Sequence, residues 1–177
     1  DVGSNIGASS IYFLKQFPDA KLIAIEASHR NYQILQKNLK KFKNKTILNN
    51  AISYEDNVFF KESSHSNADK LLNPDELKEN PQIKESLKSV KKITCHDLEE
   101  ILKESFHGIL KIDIEGAEEV FFDEYESVAS KFQIIQVEVH DWMNIKETVS
   151  SKSLLKFLSK NNYEIILQRD VIHCIKK

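Results

Sequence analysis

The chain opens on Asp1-Val2-Gly3-Ser4-Asn5-Ile6-Gly7, a spacing that bends a chain sharply from strand into helix. Glycines at the third and last of these turn positions admit backbone angles that a Cβ disfavours and let the main chain approach a ligand. The free N–H groups of the helix that follows favour an anionic or electron-rich group. Dinucleotide-binding turns space their glycines as G-x-G-x-x-G to admit a pyrophosphate. Here Asn5 stands at the middle position and Asp1 precedes Gly3 by two residues. An acid there suits a ligand with a cationic amino-acid end better than a pyrophosphate. The plainer alternative is an ordinary glycine-rich strand-to-helix turn.

A second acid, Glu26, closes the apolar run Lys21–Glu26. A carboxylate at such a strand end, about 20 residues beyond the turn, can accept hydrogen bonds from both ribose hydroxyls. Ala27 follows it, and Asn50 and Ala51 end the next strand on the same rim, where they would meet a base edge. A third group lies further on. Lys111, Asp113 and Glu115 alternate with Ile112 and Ile114, and Gln136, Glu138 and His140 alternate with Ile135, Val137 and Val139. Two polar stripes on strands that should be central imply mutual pairing or a wet functional cleft, because unpaired buried charge is costly. The alternative is strands with one face in solvent. His140 is the candidate general base, with Asp113 and Glu115 to orient it or an acceptor. Lys111 reads as a counter-ion and Glu118 as a helix-start carboxylate. Carboxylates with an imidazole can hold a hard cation, but no ligand spacing demands one, and we expect no metal.

These residues need elements to position them. Ala8–Phe17 reads as a helix with Ile11, Leu14 and Phe17 on one face, stopped by Pro18. Ser28 caps a second helix carrying Tyr32, Leu35, Leu39 and Phe42. Strands are expected over 46–53 and 58–60. Residues 61–92 form a polar insertion containing Pro74, Pro81 and a helix-like stretch over 75–87. Lys92–Cys95 reads as strand, 97–102 as helix, 108–115 as strand, 116–131 as helix, 133–140 as strand and 151–158 as helix. Tyr163–Gln168 and Val171–Ile175 form a hairpin about Arg169-Asp170. Alternating strand and helix predicts an α/β domain with a doubly wound, mostly parallel sheet and a C-terminal antiparallel hairpin. Its first strand would precede Asp1.

Taken in order, Asp1–Gly7, Leu110-Lys-Ile-Asp-Ile-Glu-Gly-Ala-Glu118 and Ile135-Gln-Val-Glu-Val-His140 resemble the FkbM-type methyltransferase family. The Lys-x-Asp-x-Glu-Gly-x-Glu block is the distinguishing signature. Ile93–Leu98 is similar to the segment before it, although Thr94-Cys95-His96-Asp97 replaces the usual Thr-Leu-Asp. The resemblance covers essentially the whole chain and is weakest over 61–92. It implies the class I, Rossmann-like methyltransferase fold and S-adenosyl-L-methionine as cofactor. Methyl transfer to a hydroxyl of a sugar, glycan or secondary metabolite would be the reaction. By position, Asp1, Gly3, Ser4, Asn5 and Gly7 would shape the cofactor loop, Glu26 would hold the ribose, and Asp113 would sit near the methionine end. A nicotinamide-dependent oxidoreductase or a non-catalytic binding domain of the same fold are the alternatives.

Composition bounds the partners. The chain has 177 residues with a net charge of −2, is 41% hydrophobic and 29% charged, and reads as one domain, 1–177. Arg30 and Arg169 are the only arginines, and with no basic excess, nucleic acid is an unexpected partner. Cys95 and Cys174 are expected as reduced thiols in a cytoplasmic protein. No apolar run reaches the roughly 18 residues of a membrane span. The acceptor and the oligomeric state have no signature in the sequence.

Overall fold

The computed structural model describes residues 1–61, 70–72, 88–103, 108–139, 150–169 and 171–177. They fall into two compact units, the first comprising Asp1 and Gly3–Lys92 and the second Val2 and Ile93–Lys177.

The first unit runs α1 (Ala8–Gln16), β1 (Leu22–Ile25), α2 (His29–Asn38), β2 (Lys45–Leu48), β3 (Asn57–Lys61), β4 (Lys70–Leu72) and β5 (Lys88–Lys91). Strands β1 and β2 are parallel, with Leu22 opposite Lys45 and Ile25 opposite Leu48, so their carboxyl ends share one rim. Leu14, Leu22, Ala24, Leu35 and Leu39 form the core between strand and helices. Ser28 caps α2 as expected, its side chain accepting from the Asn31 amide. Phe17 departs from expectation: α1 ends at Gln16, and Phe17 lies 50% exposed. The helix ends before the apolar spacing has brought a third residue into the core.

The insertion differs more. Within it, Lys70–Leu72 and Lys88–Lys91 are strands that flank β3 on either side as antiparallel partners. The extended segment expected at Lys92–Cys95 is thus displaced to Lys88–Lys91. A small cluster of Ala51, Val58 and Val90, with Ala27 against it, seals this sheet. The helical stretch expected over 75–87 lies outside the described residues.

The second unit runs α3 (Cys95–Leu102), β6 (Ile109–Ile112), α4 (Glu118–Glu124), α5 (Glu126–Ala129), β7 (Ile134–Glu138), α6 (Ser150–Lys160), β8 (Tyr163–Gln168) and β9 (Val171–Lys176). Its sheet has the order β6-β7-β9-β8. β6 and β7 are parallel, and β9 runs antiparallel to both neighbours. The terminal hairpin is therefore present, and its second strand inserts between β7 and β8. The α/β class holds. The pairings of β1 with β2 and of β6 with β7 are parallel, and the antiparallel ones belong to the terminal hairpin strands and to the separate β4-β3-β5 sheet.

Thr94 and Asp97 form a capping box that starts α3 two residues earlier than expected. Hydrogen bonds from the Thr94 hydroxyl and amide hold the Asp97 carboxyl below its ordinary pKa. The single helix expected over 116–131 is two, broken at Tyr125, whose φ of −118° leaves helical geometry. That ring is buried, and its hydroxyl donates to the Ile93 carbonyl. A continuous aromatic array results, with Phe121 stacked on Tyr125 at 5.3 Å, Phe122 against Phe157 at 5.2 Å and Phe157 against Tyr163 at 5.5 Å. Such pairs add about 0.5–1.5 kcal/mol each beyond their buried area.

Cys174 is fully buried, and burial pushes its thiol up to about 11. Cys95 is only half-buried, and neither cysteine is in a disulfide. A raised thiol pKa favours the neutral form in the fold, so its stabilising contribution is complete below pH 9 and is lost as pH rises toward 11. One thiol should react promptly with a disulfide reagent at neutral pH and the second only on unfolding. Two fast thiols in the native protein would contradict this core.

Candidate functional site

The glycine turn of the first unit is built by backbone hydrogen bonds. The amides of Gly3 and Ser4 both donate to the Ile25 carbonyl at 3.0 Å, and the Gly7 amide donates to the Ser4 carbonyl at 2.8 Å. Gly3 and Gly7 have φ of 75° and 92°, and Asn5, at 49°, is also left-handed. Asn is one of the few side-chain-bearing residues that tolerates this conformation, which accounts for its place between two glycines. Gly7 is also required by packing. A Cβ there would lie 2.6 Å from Leu35 Cδ1, so the glycine lets α1 sit against α2. Asn38 of α2 also donates to the Ile6 carbonyl at 2.8 Å.

Asp1 is tied to the start of α1. Its Oδ2 accepts from the Ser9 hydroxyl at 2.8 Å and the Ser10 hydroxyl at 2.5 Å, which draws the carboxylate over the first turn of α1, where the helix dipole favours it. Ser4 is buried, its hydroxyl donating to the Asp1 carbonyl at 2.6 Å.

Glu26 is the centre of this rim. It is 7% exposed, its Oε2 accepts from the Asn5 amide at 2.7 Å, and its Oε1 accepts from the Ser28 amide at 2.8 Å. One carboxylate therefore clamps the glycine turn to the start of α2. Charge-assisted bonds of this kind are about twice as strong as neutral ones. A carboxylate offers about four acceptor positions, so two backbone donors do not exhaust it.

Asn49 was not among the expected site residues. Its Nδ2 donates to the carbonyls of Glu26 and Ala27 at 2.8 and 3.0 Å, which makes it the direct support of the acid. The only signal for it was its place beside Asn50 at the end of β2. Asn50 itself turns toward β5, donating to the Lys91 and Lys92 carbonyls at 3.3 and 3.4 Å. Ala51 bridges to Lys92 and shares its apolar cluster with Ala27. The turn, Glu26 and Asn49 are thus joined by hydrogen bonds, and Ala27 and Ala51 by apolar contact.

The rim fits a ligand carrying hydroxyls and an amino group. Asn5 Oδ1 is buried with no donor among the described residues, on the residue whose amide meets Glu26. An unmet acceptor of this kind costs free energy until a donor reaches it.

In the second unit the polar stripe is shorter than expected. β6 ends at Ile112, so of the three charges only Lys111 stands on the strand. Asp113 follows it and accepts from Lys111 Nζ at 3.0 Å. Glu115 is exposed, in a left-handed turn with φ 52°, followed by Gly116 at 98°. That turn is held by Glu118, which is fully buried and whose Oε1 accepts from the amides of Ile114 and Gly116 at 3.4 and 3.3 Å. The alternation on β7 is as expected, with Ile135 and Val137 buried and Gln136 and Glu138 half-buried. His140 lies outside the described residues. Among the described residues no three His, Cys, Asp or Glu side chains gather as a metal site, and no helix is long and apolar enough to cross a membrane.

If Glu26 is the clamp, Glu26→Gln should weaken it even without ligand, because the amide sets an N–H against one of the two backbone donors. We expect a loss of about 1–3 kcal/mol in urea unfolding. Unchanged stability would show that the two amides do not depend on the carboxylate.

No curated protein matches the chain in sequence. Among solved structures it is similar to a chain in the crystal structure of a fibrillarin/Nop5p complex, with 12% identity and a TM-score of 0.49 over 99% of this chain and 70% of that one. The family model for the methyltransferase FkbM domain matches residues 1–165. The chain belongs to the FkbM methyltransferase family.

Proposed function

We propose that the protein is an S-adenosyl-L-methionine-dependent O-methyltransferase acting on a hydroxyl of a sugar, glycan or secondary metabolite. Family membership supports methyl transfer over the nicotinamide reading. The observation that carries the cofactor assignment is the Glu26 clamp, which sets a buried carboxylate and the unmet Asn5 Oδ1 on one rim of parallel strands. Ligands of open α/β sheets bind at such carboxyl ends.

In this reading Glu26 receives the ribose hydroxyls and Gly3, Ser4, Asn5 and Gly7 shape the loop around the amino-acid end. Ala27, Asn50 and Ala51 border the base. Asp1 shapes the loop as well, its Oδ2 held to α1 by the Ser9 and Ser10 hydroxyls. The cofactor, when bound, supplies an electrophilic methyl group.

By its position in the family motif, Asp113 serves the methionine end in this reading and, with Glu115, orients the acceptor. Lys111 pairs with Asp113 at 3.0 Å in a half-buried setting. His140 takes the hydroxyl proton as the new bond forms, since an imidazole titrates close to neutral pH. Glu118 holds the Glu115-Gly116 turn and has no part in proton transfer. No residue role here calls for a metal, and we read the protein as cytoplasmic.

S-adenosylhomocysteine at one hundred times its Kd should raise the stability of the protein by about 2.7 kcal/mol, visible as a higher Tm. A Tm that stays flat at saturating ligand would remove the cofactor assignment. Replacing His140 by Ala should lower turnover about 10²-fold or more while sparing S-adenosylhomocysteine affinity. Wild-type turnover in that variant would pass the role of base to another group.

A further inference from the structure

Asn49 reaches the Glu26 and Ala27 carbonyls with its amide nitrogen. Only the NH2 end of an amide can serve two carbonyls, so Oδ1 must face the other way, and there it lies 3.0 Å from Nδ1 of His29. An acceptor at that distance requires a donor, which assigns the His29 proton to Nδ1. At the opposite edge of the ring, Gln33 Nε2 lies 3.1 Å from His29 Nε2. With Nδ1 protonated and the ring neutral, Nε2 accepts from Gln33. The contacts thus have one direction, from Gln33 through His29 and Asn49 to the backbone at Glu26 and Ala27. Tyr32 tilts against the imidazole at 6.2 Å between centroids, and Gln36 donates to its hydroxyl at 2.8 Å.

We propose that His29, as the neutral Nδ1–H tautomer, is a positioning residue for the nucleoside part of the cofactor, acting through Asn49. The proposal rests on the reading that Glu26 receives the ribose. The Glu26 carboxylate is aimed by the Asn5 and Ser28 amides. Its backbone is held by its own N–H donating to the Leu48 carbonyl at 3.0 Å and by Asn49. Removing the His29 donor leaves the Asn49 amide free to turn, and a turned amide would set its oxygen against two carbonyl oxygens. The acid would then lose the support that fixes it for two hydroxyls at once, and sites of this kind tolerate little displacement. His29 itself is exposed and needs no contact with the ligand.

Isothermal titration of the full chain with S-adenosylhomocysteine tests the relay. His29→Ala should raise Kd about 5- to 10-fold, and Asn49→Ala at least as much. The double variant should be no weaker than Asn49→Ala alone, because the two act in series. His29→Asn, whose amide nitrogen can stand in for Nδ1, should restore most of the affinity, which a general packing role of the imidazole would not allow. Additive losses, or wild-type affinity in His29→Ala, would overturn the proposal. A second measurement is independent of the cofactor: 15N shifts of the imidazole should report the Nδ1–H tautomer at neutral pH. An Nε2–H tautomer defeats the relay even if S-adenosylhomocysteine binds. Should the wild-type protein bind no ligand while the Nδ1–H tautomer is found, the cofactor reading and the positioning role built on it both fall, and the relay survives only as architecture.

Discussion

The Glu26 carboxylate and its two backbone donors are the interaction on which the first unit depends. A short parallel strand ends there, a left-handed turn must be held in place, and a helix must begin two residues later. Each of these leaves amides without partners. A neutral side chain could serve one of them, but the Asn5 and Ser28 amides both meet the same side chain, and a carboxylate accepts from both through separate oxygens. Burial at 7% exposure would be prohibitive for an unmet charge and is tolerable here because these bonds are short and charge-assisted.

Around that clamp the remaining choices follow from space and dihedral angle. Gly7 also makes room for α2, since Leu35 occupies the room a side chain would need. Asn5 combines a left-handed backbone, an amide aimed at Glu26 and a buried oxygen still seeking a donor. Asp1 and the Ser9 and Ser10 hydroxyls close the other side of the turn. A loop so thoroughly held by its own atoms is preorganised, and preorganisation lowers the cost of ordering a ligand against it.

The second unit solves a related problem with different parts. The segment Asp113–Glu119 places four acids in seven residues, yet they have separate fates. Asp113 pairs with Lys111, Glu115 is exposed in a turn, Glu118 is buried as that turn's anchor, and Glu119 accepts from the hydroxyl and amide of Ser153 at the start of α6. Two of the four therefore serve the fold. The motif is conspicuous as a string of charge, but only Asp113 and Glu115 are left for chemistry in our reading.

Much of this was legible in the residues themselves. Periodicity located α2, the terminal hairpin and the alternation on β7, because burial of apolar side chains imposes a period that the chain displays openly. The spacing of Asp1, Gly3 and Gly7 and the acid at Glu26 marked the rim, because left-handed backbone and strand-end acids use few residue types. Tertiary structure alone decided the rest. It turned Glu26 inward onto Asn5 and Ser28, brought Asn49 and His29 to its support, and set β9 between β7 and β8. It also ended β6 at Ile112 and paired β4 and β5 with β3, since strand limits follow the partner that supplies the hydrogen bonds. A polar side chain shows in sequence only that it must be satisfied; which atom satisfies it is settled when distant segments meet.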